Sequence, residues 1–165
     1  MSLKNISMVL SVILLMGCSS DNSGKVVRIP TTDIVDSDAT YGVEDLNIFV
    51  NKMVKSMLQS SISQKKPSVA FGEIGIGSGV YEHIDVKLIS NKIRTNILKS
   101  KEVEIKNSTT FKNVDYKLTG DIHAIKKENS KGVDNFYMLN LILTNVKTST
   151  VVWSEDAEVR KLVKR

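Results

Sequence analysis

The chain has 165 residues, of which 41% are hydrophobic and 25% charged, a composition typical of a globular protein. Its formal net charge of +5 is too small, over this length, to indicate a strongly anionic partner. The single cysteine, Cys18, excludes an internal disulfide, and nothing near it supplies the further ligands of a metal site.

The N-terminal segment predicts an export signal that ends at a lipid attachment site. Lys4 precedes a nearly continuous apolar run over residues 8–16. This run is too short to span a bilayer, which needs about 20 residues, but it suits the apolar region of a secretory signal peptide. The run leads into the sequence LMGC at residues 15–18, which resembles the lipobox of bacterial lipoproteins.

The lipobox resemblance implies cleavage before Cys18, a diacylglycerol on the Cys18 sulfur and an acyl chain on the new amine. Several acyl chains anchor a protein firmly, because each buried CH₂ contributes about 0.8 kcal/mol. A buried N-terminal helix or a single-span anchor is the alternative. Ser19, rather than Asp, follows Cys18, which for such lipoproteins implies the outer membrane, with the folded part facing the periplasm. We do not expect an exported, lipid-anchored protein to bind nucleic acid.

The sequence divides into three predicted parts. Residues 1–17 form the signal peptide. Residues 18–41, which are polar and contain Gly24 and Pro30, form the lipidated cysteine and a flexible tether. A short docked strand over residues 26–29 is an alternative for part of this tether. Residues 42–165 form one globular domain.

Two amphipathic helices are predicted in the globular part. The first has acidic residues in its first turn, Glu44 and Asp45, where the helix dipole favours them. Its apolar stripe has helical spacing and consists of Leu46, Phe49, Val50, Met53, Val54, Met57 and Leu58. The second is capped by Asp85 and runs to about Lys99. Its buried side consists of Val86, Ile89, Ile93 and Ile97, with Leu88 and Leu98 beside them.

The remaining elements are strands. Residues 68–76 predict a central strand, and the glycines that follow to Gly79 predict a turn, because their spacing is not that of a phosphate-binding loop. A short strand over residues 103–106 precedes a polar loop over residues 107–113. Alternation then predicts three strands joined by a hairpin loop at residues 129–135 and a turn at residues 147–150. The last strand continues into Arg160, with a short final helix as the alternative.

This order of elements predicts an α/β fold. We expect a single small sandwich in which one mixed, largely antiparallel β-sheet packs with the two main amphipathic helices. In the last strand, apolar residues at alternate positions mark the buried face, and Trp153 is expected to be largely buried against a helix.

Residues 45–165 resemble the LpoB-type activators of penicillin-binding proteins, outer-membrane lipoproteins of the wider CsgG/TolB-N-domain-like group. The matching pieces come in the order of that family. They are the helix EDLNIFVNKMVKSML, the strand PSVAFGEI, the segment HIDVKLISNKIRTNIL, the strand DYKLTGDI and the ending TSTVVWSEDAEVRK. The resemblance implies a non-enzymatic regulator that binds a class A penicillin-binding protein and stimulates its synthesis of peptidoglycan, with no cofactor and no metal.

A catalytic site is not predicted from the residues either. His83 and His123 have no metal-type spacing, and Glu155 and Asp156 are adjacent, so on a strand they point to opposite faces. Three alternatives to the activator remain open. The first is a structural envelope lipoprotein that binds peptidoglycan or another protein without activating an enzyme, and the second is a subunit of a CsgG-like secretion assembly. The third is a hydrolase, which ranks last because the residues form no recognisable catalytic site.

Overall fold

A computed structural model of the chain describes residues 38–107 and 110–165. The signal peptide over residues 1–17, the lipidated Cys18 and most of the tether lie outside the described residues, so these remain predictions. Residues 38–41, at the end of the predicted tether, contact the domain: the carbonyl oxygen of Ala39 accepts hydrogen bonds from the side chains of Asn135 and Tyr137.

Helix α1 comprises Val43–Gln59. Its start is fixed by Asp45, whose Oδ2 accepts a hydrogen bond of 2.7 Å from the N–H of Gly42 and so satisfies one of the amides left free at a helix start. The predicted apolar stripe forms its buried face. The helix ends where the chain becomes extended at Ser60, and a 3₁₀ turn, Ser63–Lys65, leads towards the first strand.

Helix α2 comprises Val86–Ser100. As predicted, Asp85 caps it, accepting a hydrogen bond of 3.0 Å from the N–H of Leu88. The helix ends at Lys101, which adopts a left-handed conformation with φ of 62°. Ile89, Ile93 and Ile97 are fully buried. By contrast, Leu88 and Leu98 are exposed, because α2 contacts its neighbours along a narrower stripe than predicted.

Five strands form one mixed sheet. They are β1 (Ser68–Ile76), β2 (Glu104–Ile105), β3 (Tyr116–Asn129), β4 (Gly132–Asn145) and β5 (Val151–Lys164), in the spatial order β2-β1-β3-β4-β5. β1 is parallel to both β2 and β3, whereas β3, β4 and β5 form an antiparallel meander. The predicted α/β fold and the interior position of β1 are confirmed.

The β3–β4 hairpin is longer than the sequence indicated. Asn129 pairs directly with Gly132, so the turn consists of residues 130–131, and the loop predicted over residues 129–135 is wrong. Polar residues at the tip keep the strand conformation because their backbone groups form hydrogen bonds between the two strands, and these bonds do not depend on the side chains. β5 remains extended to Lys164, so there is no final helix.

Both helices pack on the same face of the sheet. α1 lies over β5 and contacts α2, and α2 lies over β1. Between them and the sheet lies one apolar core, to which the strands contribute Leu118, Ile122, Tyr137, Leu139, Leu141, Leu143 and Ala157 among others. Neither described helix combines the length and the apolar character that crossing a membrane requires.

Candidate partner-binding face

The face of β3, β4 and β5 that points away from the helices is the candidate functional surface, here called the open face. Residues alternate along a strand, so those next to the buried ones point to this side. Along β3–β5 these side chains are partly or fully exposed. They include Lys117, Thr119, Asp121, His123, Ile125 and Lys127 of β3, Asp134, Phe136, Met138, Asn140 and Ile142 of β4, and Ser154, Asp156, Glu158, Arg160 and Leu162 of β5.

A groove of about 550 Å³ crosses the open face near the β3–β4 turn. Its apolar floor is formed by Ile125 and Phe136, which are directly opposite each other in the sheet, and Phe136 is in turn opposite Arg160. The lining is completed by Lys127, Asp134, Glu158 and Val159. Ile125 keeps 56% of its surface exposed, an unusual amount for an isoleucine in the middle of a sheet. The groove thus combines an apolar centre with charged walls.

The charged wall beside the apolar floor is held in place by a bidentate ion pair. Arg160 donates from Nε to Asp134 Oδ1 at 2.9 Å and from a terminal nitrogen to Asp134 Oδ2 at 2.7 Å. These hydrogen bonds lower the pKa of the Asp134 carboxyl and raise that of the guanidinium, so both groups stay charged near neutral pH. A fork-to-fork pair of this kind fixes the orientation of the guanidinium.

At the margin of the open face, the structure brings together Ser78, His123 and Asp121, which sequence spacing did not suggest. His123 Nδ1 accepts a hydrogen bond of 3.1 Å from the Ser78 N–H, and its Nε2 is bonded to Asp121 Oδ2. The Ser78 hydroxyl lies 3.2 Å from the same Nδ1. Because a backbone amide already uses the lone pair of Nδ1, this nitrogen is not placed to take a proton from the hydroxyl. The arrangement is therefore not a serine-hydrolase triad.

The same array explains the glycine-rich segment after β1. The His123 ring lies directly on the backbone of Gly77, where an added Cβ would come within 2.3 Å of the ring. Gly79 has a φ of +75°, a conformation that other residues rarely adopt. These glycines let the segment turn beside β3, as predicted. His83 is exposed, and nowhere in the part of the chain that the structure describes do three or more metal-binding side chains come together.

Glu155 and Asp156 point to opposite faces of β5, as predicted. Glu155 faces α1, where it accepts a hydrogen bond of 2.6 Å from the Ser56 hydroxyl and lies 3.5 Å from Lys52 Nζ. The Ser56 bond contributes most to lowering the Glu155 pKa. Asp156 lies on the open face and accepts a hydrogen bond of 2.6 Å from Asn140.

Trp153 lies on the helix side of β5, as expected. It is partly buried against the core, and its indole N–H donates to the hydroxyl of Ser56 at 3.2 Å. Ser56 therefore joins α1 to β5 through two side chains of the strand.

Comparisons with known proteins find one matching family profile and similar solved structures. The sequence profile of the family described as peptidoglycan-synthase activator LpoB matches residues 104–159, which run from β2 through most of β5. The LpoB C-terminal domains from Salmonella enterica and from Escherichia coli are similar in structure, each with a TM-score of 0.53 and 12% identity over 71% of this chain and 99% of theirs. No curated protein matches the sequence. The resemblance and the fold predicted from the sequence are confirmed.

Proposed function

We propose that this chain is an outer-membrane lipoprotein, anchored through Cys18, that binds a class A penicillin-binding protein and stimulates its synthesis of peptidoglycan. The observation that carries the proposal is the match of residues 104–159 to the synthase-activator family. Such a protein regulates and is not itself an enzyme. It would act by binding one conformation of the synthase more tightly than others, which shifts the synthase population towards that state and needs no cofactor.

The groove of the open face is the surface on which we place the synthase. The family match covers most of the three strands that build this face, and all the groove residues except Arg160 lie within it, whereas α1 lies outside it. The groove also has the composition of a protein interface, in which an aromatic and an arginine side chain adjoin an apolar centre. A synthase segment that covers Ile125 and Phe136 would remove both from water.

The first experiment adds the full-length chain, in detergent micelles, to each class A penicillin-binding protein of the same organism. Glycan polymerisation from the lipid-linked precursor is followed with and without the chain. Several-fold stimulation of one synthase supports the proposal and identifies the partner. Binding without stimulation would instead indicate a structural envelope lipoprotein, and the absence of both binding and stimulation would overturn the proposal.

A matched pair of variants tests the groove. Ile125→Glu places a charge on its apolar floor and should weaken both binding and stimulation. Leu98→Glu makes the same kind of change at a residue of α2 with similar exposure, 50% against 56%, and should leave both unchanged. Equal effects of the two variants on binding would rule out the groove as the docking surface while leaving the activator function standing.

A further inference from the structure

β5 is an edge strand along its whole length. It pairs with β4, and no strand of the described residues pairs with its other side. The opposite edge of the sheet is the short β2, of two residues, whereas β5 has 14. A long edge presents a row of free backbone N–H and C=O groups, which can pair with another strand.

The hydrogen-bond pattern shows which backbone groups of β5 point away from β4. The N–H of Arg165 donates to Lys131 O at 3.0 Å, so the odd-numbered residue at this end points its backbone groups towards β4. The direct pairing of Asn129 with Gly132 agrees, because it turns the backbone groups of even-numbered β4 residues towards β3 and those of odd-numbered β4 residues towards β5. Because the direction alternates along an antiparallel ladder, the even-numbered residues from 154 to 164 point their N–H and C=O groups outwards.

We propose that a second copy of this chain pairs with this edge, β5 against β5 in antiparallel orientation, so that two sheets join into one. The order of charges along the strand supports this partner. Among the exposed residues, acidic ones come first, at Asp156 and Glu158, and basic ones follow, at Arg160 and Lys164. An antiparallel copy brings the acidic half of each strand beside the basic half of the other. Charges on an edge usually prevent pairing, but this order favours one orientation.

One register satisfies both the backbone and the charges. The backbone hydrogen bonds between the two copies must join outward-pointing residues, so each hydrogen-bonded pair consists of even-numbered residues. Placing Glu158 opposite itself, or Arg160 opposite itself, brings like charges together. The intermediate register places Glu158 of each copy opposite Arg160 of the other, so this ion pair forms twice across the twofold axis. It also places Val159 opposite Val159 on the helix side.

Glu158 and Arg160 can both take part in an ion pair between two copies. Within the described chain, Glu158 makes no ion pair, and its side chain is exposed. The Arg160 side chain keeps 68% of its surface exposed and uses two N–H groups on Asp134, of the five that a guanidinium carries. It can therefore bind Asp134 and the carboxylate of a second copy together.

The test is a charge exchange on the full-length chain in detergent micelles. Glu158→Arg places Arg opposite Arg160, and Arg160→Glu places Glu opposite Glu158, so each variant alone should dimerise about tenfold more weakly than the wild type, or worse. A mixture of the two restores opposite charges in both pairs and should form heterodimers. Sedimentation velocity measures the affinity, and native mass spectrometry distinguishes the heterodimer from both homodimers.

The controls change the same charges elsewhere. Glu102→Arg and Lys99→Glu alter exposed residues near the end of α2 and should dimerise as the wild type does. Glu158→Pro removes an outward N–H without removing a bond to β4, so it should keep the circular dichroism of the fold and lose the dimer.

Three results would overturn the proposal. The first is a wild-type chain that stays monomeric into the high micromolar range, which would leave the edge to a strand of another protein or to residues 18–37. The second is a dimer unaffected by the charge variants, and the third is a mixture of variants that forms no heterodimer.

Discussion

Replacing Asp45 by alanine tests the contact that joins the start of α1 to the end of β5. Asp45 is 1% exposed, and its Oδ2 accepts hydrogen bonds from the Gly42 N–H at 2.7 Å and from Lys161 Nζ at 3.0 Å. The Lys161 side chain is itself only 9% exposed and also donates to the carbonyl oxygen of Thr40. One carboxylate oxygen therefore caps a helix and neutralises a buried ammonium group.

The expected cost follows from these two roles. Loss of an N-terminal cap costs about 1 kcal/mol. Removing one partner of a buried ion pair costs about 3–5 kcal/mol, because the other charge loses that counter-charge. Since a single oxygen makes both contacts, the two costs overlap. We expect Asp45→Ala to lower the free energy of unfolding by about 3–5 kcal/mol.

Denaturant unfolding, followed by the fluorescence of the single tryptophan, measures this cost. Glu44→Ala is the control, because it removes a carboxylate from the same helical turn and should cost about 0.3–1 kcal/mol through the helix dipole. Adding Lys161→Met to Asp45→Ala removes the ammonium group that has lost the Asp45 carboxylate and should recover part of the stability. If Asp45→Ala costs no more than Glu44→Ala, the buried ion pair does not stabilise the fold and the reasoning is wrong.

Three further changes probe other contacts. Gly77→Ala should lower the free energy of unfolding by about 1–3 kcal/mol through a clash with the His123 ring; adding His123→Ala should remove most of that cost, and an unchanged cost would place the strain elsewhere. The Ser68 amide and then its hydroxyl lower the pKa of Asp115, so stability present above the unfolded pKa should be lost as the pH falls through the folded one. Asp115→Asn should flatten this loss in acid unfolding curves below about pH 4. Ser56→Ala should cost about 1–2 kcal/mol and shift the tryptophan emission, and an unshifted spectrum would contradict the hydrogen bond.

The helices and most strands could be predicted because each shows its buried face in the sequence. The stripe of α1 and the alternation in β3 repeat with the period of the element, and this period arises from burial on one side. Asp85 was predictable as a cap because capping acts over three residues. The tip of the β3–β4 hairpin was not, because its residues carry no apolar pattern and are held by backbone pairing.

The groove and the buried ion pair could not be predicted, because they depend on register. Ile125 and Phe136 are out of phase with the buried residues, and sequence alone does not show that they are opposite each other. Likewise Asp45 and Lys161 are 116 positions apart, so no local pattern connects them. A single sequence gives the period of an element, whereas the register between elements requires the folded chain.

Chain connectivity explains why one face of the sheet is left open. β1 reaches β2 through a crossover that contains α2, and α1 packs beside α2, so both helices lie on one face. The meander β3–β4–β5 is joined by turns at residues 130–131 and 146–150, which are too short to contain a helix that could cover the other face. The exposed apolar floor of the groove therefore lies where the described chain supplies no cover. Because the family match lies over most of these strands, this is the face on which we place the proposed synthase.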